Sequence, residues 1–278
     1  AALYVGLMCS GYLAGAVESA WGWRTVFYLF GGAGVLLGLV FVFRLRDAPG
    51  AAPAPVAAAE RSGVWDSLRL LARTPSALLA TVGFCAIVFA NNAYVFWAPS
   101  FVMEKFRESA TPMTLTQAAG GAMLYHHLAA FAAIMAGGFV TDWAVRRWPR
   151  FRLALQGTAL LLGAPALYWI GCAGSVAATW SAMAAYGVFR GLFEVNTHAT
   201  LFDVVPPRCR STAVGLMTMT AFLLGTVPPK LIGHFCDLHV KVAGVQQGFA
   251  LLACGYLVGA AAMFGSALFT FKRDRVLE

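Results

Sequence analysis

Charge is scarce in this sequence: 12% of its 278 residues are Asp, Glu, Lys or Arg, whereas 60% are hydrophobic. A water-soluble domain carries about 25% charged residues, so that class is excluded. Alternation of polar and apolar residues over ten-residue segments is absent, which excludes an outer-membrane barrel. The six cysteines show no CxxC spacing. They read as small apolar packing residues, and neither a zinc site nor a disulfide framework is indicated. The motifs G-x-S-x-G, H-E-x-x-H and G-x-x-x-x-G-K-[ST] are missing, as is any large loop able to hold a catalytic site. No enzyme is expected, and no catalytic residue, cofactor or metal is assigned. GGAG at positions 31–34 is only part of a dinucleotide fingerprint and lies in an apolar run, where it serves packing. The chain opens on AALYVG, without an initiator Met or a basic flank. That start is unlike a signal peptide and predicts a chain cut at its front.

What is present is long apolar runs. Crossing a bilayer takes about 20 apolar residues in a helix, and eight stretches approach or pass that length: Tyr4–Trp21, Val26–Phe43, Leu78–Phe101, Ala119–Val140, Leu153–Gly171, Ala178–Val205, Thr212–His234 and Phe249–Phe271. The expected fold is an all-α, polytopic membrane helix bundle with eight transmembrane helices. The formal charge of +8 is spread in short groups between the runs, so it makes no nucleic-acid face and instead sets topology. One side of the membrane receives Arg44, Arg46, Arg61, Arg69, Arg73, Arg146, Arg147, Arg150, Arg152, Arg208, Arg210, Lys272, Arg273 and Arg275. The other keeps Arg24, Lys105, Arg107 and Lys241. The positive-inside rule makes the first side cytoplasmic, which places both ends of this chain in the cytoplasm. The longest polar interval, RLRDAPGAAPAPVAAAERSGVWDSLRLLARTPS, has the Ala- and Pro-rich composition of a linker, followed by VWDSLRLLAR, which predicts a short amphipathic helix at the headgroups.

Four stretches give the arrangement a family likeness. GYLAGAVESAWGWRTVFYLFGG combines small residues with a W-x-W-R turn. GGFVTDWAVRRW resembles a G-x-x-x-D-R-x-x-R-R loop, with Trp143 where a cation is usual. DVVPPRCRSTAVGLMTMTAFLLGTVPPKLIGHFCD joins two helices through Pro206 and Pro207, and its Gly225 and Pro228 predict a break or bend in the second. APSFVMEKF follows the third span. Over essentially the whole chain these resemble the major facilitator superfamily, helices five to twelve, nearest to its anion:cation symporter branch or to spinster-like carriers. The resemblance implies a two-half fold: residues 1–44 as the last two helices of the N-terminal six-helix half, 45–77 as the cytoplasmic linker between halves, and 78–278 as the C-terminal six-helix half. The first four helices of that fold are not in this chain. It also implies alternating access, with substrate held near the midplane between the halves.

Polar residues inside the spans are the candidate site. In FRGLFEVNTHATLFD, Arg190, Glu194 and His198 recur every fourth residue and share a helix face. Arg190 and Glu194 are either substrate-binding charges that neutralise each other when the cavity is empty, or a permanent interhelical ion pair; His198 reads as interfacial. Asn91, Asn92 and Tyr94 offer amides and a phenol to a hydroxylated substrate, or hydrogen bonds between helices. Trp97 fits an aromatic belt. His126 lines the cavity or packs, and its neighbour His127 points elsewhere, so a metal site is not expected. Lys230 either snorkels to the headgroups or adds a second cation. Asp142, Arg146 and Arg147 are the expected gating residues of the loop motif. The expectation is a monomeric secondary transporter of small organic anions such as sugar acids or other carboxylates, coupled to protons or sodium, in a bacterial inner membrane. Its partners are the substrate, the coupling ion and the lipid bilayer, not nucleic acid. The alternatives are an exporter of amphipathic or lipid-like compounds and a non-transporting sensor.

Overall fold

The computed structural model describes residues 2–45, 64–109 and 112–276. Its helices are α1 (Ala2–Trp21), α2 (Trp23–Arg44), α3 (Val64–Ala72), α4 (Pro75–Lys105), α5 (Leu115–Val145), α6 (Phe151–Cys172), α7 (Val176–Glu194), α8 (Thr197–Phe202), α9 (Arg210–Leu224), α10 (Val227–Leu238), α11 (Lys241–Gly265) and α12 (Phe271–Asp274), the last joined to α11 by a π-helical turn over Ser266–Thr270. Strands are absent among the described residues, as the all-α expectation requires.

Local chemistry sets the helix ends. Pro75 opens α4, where its missing N–H costs nothing. Thr114 and Gln117 form a reciprocal capping box at the start of α5, and Ser175 caps α7 by accepting from the Ala178 N–H at 3.2 Å. Gly22 makes the W-x-W-R turn between α1 and α2: its φ of 82° lies where side chains are rarely tolerated.

Five helices close into a ring: α4 packs on α5, α5 on α7, α7 on α6, α6 on α11 and α11 back on α4. Helices α9 and α10 flank α4 and α11 from outside, α1 lies along α5, and α2 lies along α1 with none of its residues buried. In lipid, where apolar side chains gain nothing by leaving the solvent, close approach through small residues holds helices together. Much of the ring's interior is accordingly alanine and glycine, with Ala90, Ala93, Ala98, Ala118, Ala122 and Ala182 completely buried. The amphipathic helix expected after the linker is α3, with Leu70 and Leu71 against the core and Arg69 and Arg73 exposed. Residues 46–63, most of the expected linker, lie outside the described residues.

Among the described residues, six helical stretches are long and apolar enough to cross a membrane: α2, α4, α5, α6, residues 207–238, and residues 241–274. Six stretches, not the expected eight, meet that criterion. Helix α1 carries Glu18 and several Ser and Gly residues, and α7 carries Arg190 and Glu194, yet both lie along α5. The expected single span Ala178–Val205 is two helices, broken after Glu194. Gln156 of α6 donates to the Phe193 carbonyl at 3.2 Å, and Asn196 donates to Thr141 Oγ1 of α5 at 3.1 Å. Side chains from neighbouring helices thus satisfy polar groups at the break, which hydrocarbon could not. The expected bend at Gly225 and Pro228 is the break between α9 and α10.

Candidate functional site

Inside the ring lies a group of polar side chains with almost no access to solvent. It is positioned by a close approach of α5 and α7. A Cβ on Gly187 would fall on the carbonyl oxygen of His126, and one on Gly191 would fall on that of Ala130. Gly187 and Gly191 are four apart on α7, and His126 and Ala130 four apart on α5, so bare backbone meets backbone along one seam. The residue before Gly191 is Arg190, which the seam carries to His126.

Arg190 is 7% exposed. Its Nη2 donates to Glu194 Oε1 at 2.8 Å, and its Nη1 lies 3.1 Å from His126 Nε2. The imidazole accepts from the guanidinium there, so Nδ1 carries the proton; that atom is buried without a partner. His126 stacks on Tyr186 (centroids 4.7 Å apart, 22° between planes), and the Tyr94 ring lies 4.7 Å from it. Tyr256 of α11 follows at 5.9 Å from Tyr186. On the other side Tyr4 of α1 lies 5.8 Å beneath the guanidinium and 5.9 Å from the His127 ring. His127 turns away from Arg190 and uses Nδ1 to bond the Met123 carbonyl at 2.8 Å.

The group is thus one buried cation, one partly buried carboxylate and four phenols. Tyr94 donates to the Ala122 carbonyl at 2.8 Å. The Tyr4 hydroxyl and the Nε of Arg190 are buried without hydrogen-bond partners, and the Tyr186 and Tyr256 hydroxyls approach each other without good hydrogen-bond geometry. Buried polar atoms are usually satisfied; the unpartnered atoms on and around this guanidinium make a site with unused hydrogen-bonding capacity.

The remaining expected residues lie elsewhere. Asn92 donates to the Gly225 carbonyl at 3.2 Å and bridges α4 to the α9–α10 break. Asn91 is half-buried with its Oδ1 unpartnered. Lys230 is exposed on α10, and His198 on α8. Trp97, expected in the aromatic belt, is half-buried and donates to the Pro229 carbonyl at 3.0 Å, so it braces the same break. Asp142, Arg146 and Arg147 are exposed at the end of α5; the Arg147 guanidinium lies 4.9 Å over the Trp143 ring. The ion pair on that side is Arg152 with Asp203, its Nη1 donating to both carboxylate oxygens at 2.8 Å. Tyr4, Tyr186, Tyr256 and the Gly187–Gly191 seam were not singled out from the sequence. Only the seam carried a signal there, as a G-x-x-x-G around Arg190; the tyrosines come from three separate helices.

A sequence profile of the Major Facilitator Superfamily matches residues 1–229. Human protein spinster homolog 1 is 27% identical over 297 residues, covering 95% of this chain and 54% of that protein. The mouse sphingosine-1-phosphate transporter SPNS2 is 28% identical over 238 residues, 75% of this chain and 41% of that protein. The crystal structure of a bacterial homolog to the human lysosomal transporter Spinster, inward-facing and unoccupied, shares the fold with a TM-score of 0.71 at 18% identity, covering 99% of this chain and 69% of that one. The chain spans about half the length of the curated relatives it matches. These relatives stand on the spinster-like side of the resemblance. With its apolar helices and a family match over most of its length, the chain is a multi-pass membrane protein that belongs to the Major Facilitator Superfamily.

Proposed function

We propose that this chain acts in secondary transport by alternating access, and that its substrate is an amphipathic molecule with an anionic head. The observation that carries the reading is Arg190: a guanidinium buried in a membrane bundle, with one carboxylate partner, an unpartnered Nε and phenol rings around it. An acidic head would displace Glu194 from the guanidinium and take donors from Tyr186 and Tyr256, while the apolar part would lie on aromatic surface. Tyr4 is the wall supplied by α1, so movement of α1 along α5 would uncover the guanidinium and close it again. A relative named as a sphingosine-1-phosphate transporter, whose named substrate joins a phosphate to an apolar chain, supports this chemistry over the smaller sugar acids and carboxylates. Proton or sodium coupling, a monomeric state, cytoplasmic termini of this chain and a bacterial inner membrane belong to the same proposal. Residues 1–44, 45–77 and 78–278 act in it as the last helices of one half, the linker and the second half.

The test is counterflow in proteoliposomes of the complete gene product, using lysolipid phosphates, sugar acids, dicarboxylates and lipophilic cations. Charge-assisted hydrogen bonds contribute about 1.5–3 kcal/mol each, so Arg190→Ala should cut exchange of the amphipathic anion about 10- to 100-fold. A paired Arg190→Met/Glu194→Met variant leaves no lone buried charge and should fold while losing the same exchange. Selective exchange of sugar acids or dicarboxylates, lost in Arg190→Ala, would shift the substrate class to small organic anions. Exchange of lipophilic cations indifferent to both variants would make the Arg190–Glu194 pair structural and overturn the reading.

A further inference from the structure

On the face that the positive-inside rule makes cytoplasmic, away from Arg190, a cavity of about 440 Å³ opens between the start of α6 and the end of the chain's last helix. It is lined by Trp148, Pro149, Arg150, Phe271, Lys272 and Arg275. That volume falls within the roughly 300–1,000 Å³ of small-molecule sites and exceeds what a lone ion fills. Phe271 is buried and forms an apolar floor, and the half-exposed Trp148 ring, edge-on to Phe151 with centroids 6.0 Å apart, forms a wall. Arg150, Lys272 and Arg275 supply three cations, none with an ion-pair partner among the described residues. Nearby cations are neutralised: Arg152 holds Asp203 through two 2.8 Å contacts, and Arg273 holds Asp274 at 2.9 Å. The walls are tied through Asp203, whose carbonyl accepts from the Val276 N–H at 2.9 Å and whose carboxylate is held by Arg152 of α6. Three cations left without counter-charge around a tethered, aromatic-walled hollow call for an anion.

We propose that this cavity binds the phosphodiester headgroup of an anionic phospholipid. The chemistry would equally suit free phosphate, but the surroundings favour a lipid. Leu268 and Phe269, about one turn before the cavity-lining Lys272, are 63% and 82% exposed and present apolar surface near the opening. A headgroup in the cavity would lay its acyl chains along them. An indole at headgroup level and basic residues on the cytoplasmic side are the general elements of such recognition. The bound lipid would clamp the α5–α6 turn to the chain's last helix, joining two ring helices at one end.

Native mass spectrometry of the full chain, titrated with phosphatidylglycerol, phosphatidylcholine or inorganic phosphate, tests this. One phosphatidylglycerol should be retained in preference to phosphatidylcholine. Each surface cation contributes about fivefold to anionic-lipid affinity, so Arg150→Gln/Lys272→Gln/Arg275→Gln should weaken retention on the order of a hundredfold. An equal loss of charge at the opposite end, Arg24→Gln/Arg107→Gln/Lys241→Gln, should leave it unchanged. Arg275→Gln alone, compared at an unchanged melting temperature, should weaken it about fivefold and decides the matter where the triple variant does not fold. Equal loss in both triple variants would reduce the effect to net charge and overturn the proposal. Displacement of phosphatidylglycerol by equimolar inorganic phosphate would overturn it in favour of a free-phosphate site.

Discussion

Substituting Gly187 by alanine tests how the site is positioned. The added Cβ would strike the His126 carbonyl oxygen and lie 3.0 Å from its carbonyl carbon and 3.2 Å from its Cα. These are backbone atoms of α5, so no side chain can rotate to make room, and α7 must withdraw on the order of 1 Å to restore ordinary contact. The 3.1 Å separation of Arg190 Nη1 from His126 Nε2 would then open beyond hydrogen-bond range. Overpacking of this kind costs about 1–3 kcal/mol, while alanine returns up to about 1 kcal/mol through helix preference. Gly255→Ala isolates the second effect, because its Cβ would meet only Phe89 Cδ1 at 3.8 Å. In a thermal melt in detergent, at roughly 2–4 °C per kcal/mol, Gly187→Ala should melt roughly 2–12 °C below Gly255→Ala. Substrate exchange should fall with it, since the guanidinium loses the imidazole that orients it. Equal melting temperatures for the two variants would refute the seam as the device that sets the site.

Two other perturbations separate structural from functional polar groups. Tyr186→Phe and Tyr256→Phe delete hydroxyls that approach only each other, without good hydrogen-bond geometry, so each variant should melt near the parent temperature. Exchange of an anionic amphiphile should drop about 5- to 10-fold in each, the worth of one hydrogen bond of about 1–1.4 kcal/mol; unchanged exchange in both removes these phenols from the binding group. Thr200→Val strands the Gln156 Oε1 that its hydroxyl now satisfies at 2.7 Å. It should cost about 1–3 kcal/mol in denaturation experiments, with Thr200→Ser near neutral, because Gln156 is what satisfies the break after Glu194.

Much of the architecture was legible along the chain because membrane solvent acts residue by residue. Each apolar run had to become a helix, since no other local structure satisfies the backbone in hydrocarbon. Pro228 and Gly225 marked the α9–α10 break because proline's missing N–H is a local property. The break after Glu194 was not legible: nothing in FEVNTHA forbids a helix, and the interruption is held by Gln156 of α6 and Thr141 of α5, donor and acceptor brought from elsewhere. Trp97 shows the same limit, read as an interfacial ring on its own depth and found bonded to Pro229 by its neighbours.

The sequence by itself determined the helical membrane class and the choice of Arg190 with Glu194 as an (i, i+4) pair, because these follow from composition and from spacing within one helix. Tertiary structure alone decided which other side chains share that pair's surroundings. His126 meets Arg190 across the Gly187–Gly191 seam, whereas Lys230, Asn92 and His198, equally polar in sequence, remain outside the ring. Proximity between helices depends on which faces pack, and packing is settled by small-residue contact between elements distant in the chain. Only the assembled bundle could therefore show that one arginine is surrounded by four phenols.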